Sequence, residues 1–249
     1  RMNEQKLEAS RNFANKLWNA SRFVISNIES SKYKAEPGPL KTTNHRHDQW
    51  ITGRLSQVKS LVEQYMEDFQ FGEAQTVIHD FLWNEYCDWY IELTKLRIRS
   101  KETPSPIQVL VDTLEQTLRL LHPFLPFVTE EIWQKIRNSS ASPNEWPLAL
   151  MISQYPESLG PVKQPKAISE MESVFELIRA IRNIRGEFKL NPKDTLGCQV
   201  VASSPGNSKL LFEESESIKA MAGIKDLEIS EASSDKISGV TINIVVNIG

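Results

Sequence analysis

The sequence predicts a mainly α-helical protein, in which an antiparallel helical bundle is followed by a small α/β module. Five segments within the first 138 residues place apolar side chains at helical spacing, and turns marked by proline or glycine separate most of them. Strand-like and helical patterns then alternate. At 249 residues with 40% hydrophobic content, the chain can bury a sizeable core and is long enough for two domains. We expect the bundle over 1–147, a proline-marked connector over 148–168 and the module over 169–249.

The first two helices are predicted over residues 3–28 and 48–68. A polar linker over 30–47, which contains Pro37, Gly38 and Pro39, separates them, and Asp48 can cap the second helix. The positions of the first helix that follow the helical period are expected to face the core. They are Leu7, Ala14, Leu17, Trp18, Ser21, Val24, Ile25 and Ile28.

Three further helices complete the predicted bundle. A turn around Gly72 opens a third helix that runs to about residue 98 and is broken by the segment 103–106. A fourth helix over 107–122 ends at Pro123, and a fifth begins after Pro126. Tight turns at most of these junctions favour antiparallel neighbours.

The α/β module is predicted from the pattern that follows the prolines at 156, 161 and 165. A short extended piece over 148–152 precedes those prolines. A helix over 169–188 comes next, and then a strand over 196–202, a helix over 207–221 and strands over 227–230 and 240–246.

The most informative stretch is 81–95, FLWNEYCDWYIELTK, which is rich in aromatic residues and follows a helical pattern. At roughly 100° per residue, one face carries polar groups and the opposite face the core residues Trp83, Tyr86, Tyr90 and Leu93. Ile91 falls at the margin of the polar face and is expected to be exposed. The polar face consists of Asn84, Glu85, Asp88, Glu92 and Lys95.

The first helix has a polar row of its own, with Phe23 beside it. Amide and guanidinium groups next to an aromatic ring suit unpaired nucleobases, which proteins recognise by stacking and by hydrogen bonds to base edges. A solvated helix face with a buried Phe23 explains the same pattern. The row consists of Arg11, Asn15, Asn19, Arg22 and Ser26.

Composition narrows the classes of function. A formal net charge of -3 argues against a sequence-independent polyanion binder, so any RNA contact must be local and selective. Cys87 and Cys198 are far apart and lie in apolar sequence, which fits a reducing compartment and a cytoplasmic location. No signal peptide or membrane-length apolar run is present. The chain begins at Arg1 and ends at Gly249 directly after an apolar run, so we expect a segment of a longer protein.

Catalytic patterns are absent from the sequence. The glycines lack the spacing of a phosphate loop. His45 and His47 are expected in a solvated linker without a third metal ligand, His79 among buried or half-buried positions, and His122 at a helix end. The first-turn carboxylates Glu130 and Glu131 suit a helix dipole, and Asp88 with Glu92 and Lys95 suits a solvated ion-pair ladder.

Several segments together resemble the C-terminal half of the valyl-tRNA synthetases, which are class I enzymes. The match runs in order over nearly the whole chain, and the catalytic motifs HIGH and KMSKS of that class are missing. Related synthetases for isoleucine, leucine and methionine differ in the NKLWNASRF and CDWY segments. The matching segments are RNFANKLWNASRFV (11–24), DQWITGRL (48–55), FLWNEYCDWYIELTK (81–95), LLHPFLPFVTEEIW (120–133) and IRAIRNIRGEFKLNP (178–192).

The resemblance implies an anticodon-binding bundle and a small module that stops before a C-terminal arm. Asn19 and Arg22 would hydrogen-bond to the adenine and cytosine that valine anticodons carry at their second and third positions. Phe23 and Ile91 would form the stacking surface. Supporting contacts are assigned to Arg11, Asn15, Lys95, Arg179 and Arg182.

The partners implied are valine tRNA and the catalytic and editing domains of the same polypeptide, in a monomer. ATP and Mg²⁺ would serve the parent enzyme, and this chain would need no cofactor. Two other interpretations stay open from the sequence: a domain of the same class that serves another amino acid, and a helical protein–protein interaction module without RNA binding. Helical spacing favours core packing for Trp18, Trp83, Trp89 and Tyr90.

Overall fold

A computed structural model describes residues 4–31, 43–140, 142–157, 164–191, 196–202, 204–231 and 241–245. Most of the predicted linker over 30–47, including its prolines, lies outside the described residues. The chain forms two compact units, Arg1–Ile168 and Ser169–Gly249. The helices of the first unit are α1 (Glu4–Ser30), α2 (Arg46–Glu67), α3 (Phe71–Asp80), a π-helix (Phe81–Tyr90), α4 (Ile91–Arg99), α5 (Ile107–Leu121) and α6 (Pro126–Asn138).

The elements α3, the π-helix and α4 follow one another without a break and form one long helix over residues 71–99. Contacts with α2 fix its direction. Arg54 of α2 binds Glu85, whereas Asp48, near the start of α2, binds Arg97 at the far end of the long helix. The two helices therefore run antiparallel, as predicted.

The remaining helices of the first unit also alternate in direction from one helix to the next along the chain. The α5 residue Glu115 accepts a hydrogen bond from the Trp133 indole of α6, and His122 lies 2.8 Å from Thr129, so α5 and α6 are antiparallel. Helix α1 runs parallel to the long helix, because Phe13 stacks on His79 and Phe23 lies beside Lys95. Helix α1 also runs parallel to α6, since Trp18 faces Lys135 and Glu29 binds Ser139. This alternation confirms the predicted antiparallel bundle.

Helix α5 is the central helix of the bundle. Thirteen of its fifteen residues are buried, on every side of the helix. An apolar helix buried all round must be enclosed by other helices, and α1, α2, α6 and the long helix enclose it. The arrangement leaves one face of α1 and one face of the long helix in contact with solvent.

The second unit is the predicted α/β module. Its three-stranded sheet has the order β2-β1-β3, with β1 and β2 parallel and β1 and β3 antiparallel. Helices α8 and α9 connect the parallel pair, as a crossover connection must. The elements are α7 (Pro165–Glu187), β1 (Gly197–Ala202), α8 (Pro205–Glu213), α9 (Ser215–Ala222), β2 (Asp226–Glu231) and β3 (Thr241–Val245).

Three local predictions need correction. The helix predicted over 207–221 is two helices, because the chain turns at Glu214 between α8 and α9. The piece predicted as extended over 148–152 contains a 3₁₀ turn, Leu150–Ile152. Helix α2 is capped by His45 rather than by Asp48, since the Nδ1 atom of His45 accepts the His47 backbone N–H at 3.2 Å.

Candidate nucleic-acid interface

The polar row of α1 lies on the surface, as the sequence predicted. Arg11, Asn15, Asn19, Arg22 and Ser26 are all exposed. Within the described part of the chain, Asn15, Asn19 and Arg22 form no hydrogen bond or ion pair with another residue. Because these amide and guanidinium groups are exposed and bind no other described residue, they can offer directional donors and acceptors to a ligand.

The opposite face of α1 packs against the core, and this determines that the polar row faces solvent. Leu17 and Val24 are fully buried and Ile28 is nearly so, which confirms the predicted core stripe at these positions. The Ser21 hydroxyl is also buried. It donates to the Leu17 carbonyl oxygen at 2.7 Å, so its hydrogen-bonding potential is satisfied without water. Because these residues follow the helical period, their burial turns the polar row outward.

Leu7, predicted to face the core, is instead 53% exposed, because it lies within the first two turns of α1, near the end of the helix. The remaining predicted core positions Ala14, Trp18 and Ile25 are half-buried.

Phe23 marks the place where α1 meets the end of the long helix. Its ring is half-buried, and the Lys95 ammonium lies 5.5 Å from the ring centroid, within the range of a cation–π contact. Lys95 also binds the Glu92 carboxylate at 2.6 Å. Asn19 and Arg22 lie next to Phe23 along α1. We call the four residues Asn19, Arg22, Phe23 and Lys95 the Phe23 site.

Ile91 does not lie on the surface, and the expectation that it is exposed is wrong. Only 5% of the residue is accessible to solvent. The expectation assumed an α-helix throughout, but residues Phe81–Tyr90 form a π-helix. A π-helix closes its hydrogen bonds over five residues and has a wider turn, so each residue advances by less than the α-helical rotation. Ile91 is thereby rotated away from the polar face of Asn84 and towards the core.

The first helix and the π-helix are joined by a second cluster, further towards the start of α1. The Lys16 ammonium lies 3.8 Å from the centroid of a Trp83 ring and 2.6 Å from the Asp88 carboxylate. Phe13 stacks on His79 with 4.5 Å between centroids. Asp88 is therefore engaged by α1, whereas the sequence assigned it to an ion-pair ladder along its own helix. These contacts align α1 with the long helix.

The large aromatic residues divide into two groups. Trp89 and Tyr90 are buried, which confirms core packing. Trp18 and Trp83 are only half-buried, and a lysine ammonium lies over each ring. Tyr86 donates a hydrogen bond from its hydroxyl to the carbonyl of α5 residue Leu110 at 2.7 Å, and burial raises its pKa well above the usual value.

A buried ionic network lies where α2 begins, near the end of the long helix. Asp48 is fully buried and accepts hydrogen bonds from Arg97, from the Tyr90 hydroxyl at 2.7 Å and from the Thr43 hydroxyl at 2.7 Å. Arg97 also donates to Glu102 at 2.9 Å. Although burial works to lower the pKa of Arg97, the hydrogen bonds and charge of Asp48 raise it above the usual value. Sequence reasoning missed this network, because its members are distant in the chain.

The histidines expected in a solvated linker are structural instead. His47 is buried in the first turn of α2, and His45 is half-buried as the cap of that helix. Nε2 of His45 lies 3.1 Å from the Glu102 carboxylate. Burial, together with His47 and Arg97, lowers the pKa of His45 to about 4. The ring is therefore neutral at pH 7, with its proton on Nε2 and its Nδ1 free to accept.

The other candidate catalytic side chains have structural partners. His79 is half-buried, as expected, and His122 follows α5 as its C-terminal cap. Glu130 accepts hydrogen bonds from the Gln134 amide and from the backbone N–H of Leu150. Glu130 thus tethers the segment that follows α6.

Two arginines of α7, Arg182 and Arg185, bind backbone carbonyls of the second unit. Arg182 donates to the Met221 carbonyl oxygen at 2.9 Å, and Arg185 donates to the carbonyls of Gly223 and Asn191. Cations that bind the last carbonyls of a helix stabilise its C-terminus, here that of α9. Arg179 is exposed.

The residues that the structure describes contain neither a cluster of metal-binding side chains nor a helix that could span a membrane. No group of three or more His, Cys, Asp or Glu side chains there could bind a metal ion. No described helix combines the length and apolarity that crossing a membrane requires.

Comparison with known proteins identifies the family to which the bundle belongs. Residues 48–202 match the family model described as the anticodon-binding domain of tRNA ligase. The valine–tRNA ligase of Dehalococcoides mccartyi strain CBDB1 is 44% identical over 190 residues, which cover 75% of this chain and 21% of that protein. Those of Geobacter sulfurreducens and Bdellovibrio bacteriovorus are each 37% identical, over 234 and 244 residues; both matches cover 92% of this chain, and 25% and 26% of those proteins. This chain therefore spans about a quarter of the length of these relatives, and it belongs to the family of anticodon-binding domains of tRNA ligases.

Proposed function

We propose that this chain is the tRNA-recognition domain of a valine–tRNA ligase and that it reads the anticodon loop at the Phe23 site. The remainder of such a polypeptide would carry out ATP-dependent aminoacylation with Mg²⁺. The observation that carries the proposal is the position of the Phe23 ring next to Asn19 and Arg22, whose polar groups bind no other described residue.

Each component of the Phe23 site suits one part of an unpaired nucleotide. The half-buried Phe23 ring offers a flat surface for stacking, and stacking on an aromatic side chain contributes about 1–3 kcal/mol per base. Asn19 carries both a donor and an acceptor, so it can distinguish the edge of adenine from that of guanine. Arg22 supplies only donors, which suit the carbonyl oxygen of cytosine or a phosphate.

Lys95 and Ile91 contribute from the long helix. Lys95 places its ammonium over the Phe23 ring, 5.5 Å from the ring centroid, and its long side chain can turn to contact the RNA backbone. Ile91 lies one α-helical turn before Lys95, on the same face of α4. With its side chain buried, we assign Ile91 the role of supporting this wall of the site from beneath. Arg11 and Asn15 extend the α1 row and would contact neighbouring nucleotides.

The proposal is tested by titrating the protein with a valine anticodon stem-loop and with a stem-loop whose middle anticodon base is changed. Arg22→Ala and Phe23→Ala should each weaken binding of the valine stem-loop about tenfold, which corresponds to about 1.4 kcal/mol. Exposed residues of the second unit provide controls, Lys209→Ala for the loss of a positive charge and Phe212→Ala for the loss of an aromatic ring. Unchanged affinity in both site variants, or equal affinity for the two stem-loops, would contradict the proposal.

A further inference from the structure

Helix α1 carries a second half-buried aromatic ring, that of Trp18, on the flank opposite Phe23. At roughly 100° per residue, the two side chains point about 140° apart around the helix axis. All five residues of the polar row project from the arc between them. Phe23 borders the row on the side of the long helix, and Trp18 borders it on the side of α6.

The surroundings of Trp18 repeat those of Phe23. The Lys135 ammonium of α6 lies 5.6 Å from the centroid of a Trp18 ring. The corresponding distance from Lys95 to Phe23 is 5.5 Å. Like Lys95, Lys135 is also bound to a carboxylate one turn earlier on its own helix, at 3.1 Å. Exposed ion pairs of this kind are weak, so an approaching ligand can displace the ammonium from the ring.

Polar groups without a partner lie beside the Trp18 ring. Asn15 lies one helical turn before Trp18, and Arg22 lies one turn after it. The Trp18 indole N–H, like these two side chains, forms no hydrogen bond with another described residue. A flat ring beside such donors and acceptors fits an unpaired nucleotide, whose base stacks and whose edge forms hydrogen bonds. We call Asn15, Trp18 and Lys135 the Trp18 site.

The half-buried Trp83 ring beside α1 differs, because contacts within the protein occupy it. Trp83 stacks with His79 and with Phe13. The Lys16 ammonium lies only 3.8 Å from a Trp83 ring centroid. Trp18, in contrast, packs against no other aromatic ring in the described part of the chain. A face of the Trp18 ring is therefore available to a base once Lys135 moves aside.

The polar row between the two rings selects RNA rather than a protein partner. The row contains amides, a hydroxyl and arginines, and it carries neither a carboxylate nor a large apolar side chain. A protein interface would be apolar at its centre, whereas this surface is polar at its centre and aromatic at its two borders. Phosphates can approach such a row without repulsion.

We propose that the Trp18 site binds a second unpaired base of the anticodon loop, beside the base that stacks on Phe23. This inference rests on the proposed function. Trp18 and Phe23 are five residues apart, which corresponds to about 7.5 Å along an α-helix. Because proteins bind loop bases that are unstacked and splayed apart, one strand that crosses the polar row can place a base on each ring.

Stem-loops that each lack one base of the loop locate the nucleotide that each ring binds. Trp18→Leu keeps an apolar side chain but removes the ring, so it should weaken binding of the intact valine stem-loop about tenfold. It should cause no further loss with the stem-loop whose missing base is the ligand of Trp18. Phe23→Leu should show the same pattern with a different missing base. Trp18→Phe, which retains a ring, should restore most of the affinity.

Trp83→Leu and Phe212→Leu are the matched controls. Protein contacts occupy Trp83 and Phe212 is exposed in the second unit, so neither variant should depend on any one loop base. Urea denaturation reports whether each variant keeps the stability of the bundle. A second measurement uses protein that contains fluorinated tryptophan. The fluorine resonance of Trp18, identified by its absence from Trp18→Phe, should shift when the intact stem-loop is added.

Three outcomes would overturn the proposal. Unchanged affinity in Trp18→Leu together with an unshifted fluorine resonance would show that no base stacks on Trp18. An equal loss with every stem-loop would show that the ring only packs α1 against α6. Dependence of both rings on the same missing base would leave a single site. A base dependence for Trp18 and none for Phe23 would contradict the proposed function and leave the Trp18 site supported.

Discussion

Replacing Arg97 with methionine should destabilise the bundle severely. The Arg97 side chain is 5% exposed and binds both oxygens of Asp48, which is fully buried. Methionine fills a similar space but has no donor. Of its partners among the described residues, Asp48 would then retain the hydroxyls of Tyr90 and Thr43, which carry no positive charge to balance its own.

The size of the effect follows from this geometry. Leaving one member of a buried ion pair without its partner costs about 3–5 kcal/mol, because the remaining charge is desolvated and unbalanced. Two neutral donors still bind the carboxylate, so we expect a loss near the lower limit, about 3 kcal/mol. In the double variant Asp48→Asn with Arg97→Met the buried charge is gone. We therefore expect the double variant to be at least about 1 kcal/mol more stable than Arg97→Met alone.

Urea denaturation of the single and double variants measures these quantities. Arg99→Met is the matched control, since Arg99 lies two residues further along the same helix and is exposed. It should change the free energy of unfolding by less than about 0.5 kcal/mol. A loss below about 1 kcal/mol for Arg97→Met, or strict additivity in the double variant, would refute the role assigned to the network.

Three further predictions concern titration and packing. His45 has a pKa of about 4 in the folded protein against 6.5 in the unfolded chain. The free energy of unfolding should therefore be highest above pH 6.5 and fall by at most about 3 kcal/mol as the pH is lowered towards 4. Urea midpoints measured across this range should show the fall, and they should shift far less in His45→Gln. Burial raises the pKa of Cys87 to about 12 and that of Cys198 to about 11, so neither thiol should react with a thiol reagent at pH 8 until the chain is unfolded. Ile91→Ala should cost about 2–4 kcal/mol in thermal or urea unfolding, as for a buried residue, whereas Leu61→Ala at a partly exposed position should cost much less.

The helices were predictable because their sequence pattern is local. Leu17, Val24 and Ile28 repeat at helical spacing and are buried as that spacing requires. Prolines at 123 and 126 separate α5 from α6, since proline interrupts a helix and favours its first turn. Such signals lie within a few residues of the feature that they predict.

The buried network was not predictable in the same way. Asp48 at the start of an amphipathic segment has the pattern of a helix cap, and nothing nearby shows that its carboxylate is buried. Its partner Arg97 is 49 residues away and lies on a different helix. Only the antiparallel pairing of α2 with the long helix brings the two together. A charged residue that a distant partner neutralises cannot be distinguished by local pattern from a solvated one.

The π-helix explains why the candidate site was predicted on one wall and mispredicted on the other. On α1, a regular α-helix, Asn19, Arg22 and Phe23 lie where a rotation of 100° per residue places them. On the long helix, Ile91 is seven positions after Asn84, and at that rotation a step of seven positions returns roughly to the same face. The wider turn of residues Phe81–Tyr90 rotates Ile91 into the core instead.

The same change of rotation determines which residue of the long helix reaches Phe23. Once the α-helical period resumes at Ile91, the next residue on that face is Lys95, whose ammonium lies beside the Phe23 ring. The wall opposite α1 is therefore a flexible cation above a buried isoleucine, rather than an exposed apolar platform. Stacking at this site should depend on the Phe23 ring alone, and the long helix should contribute charge and support.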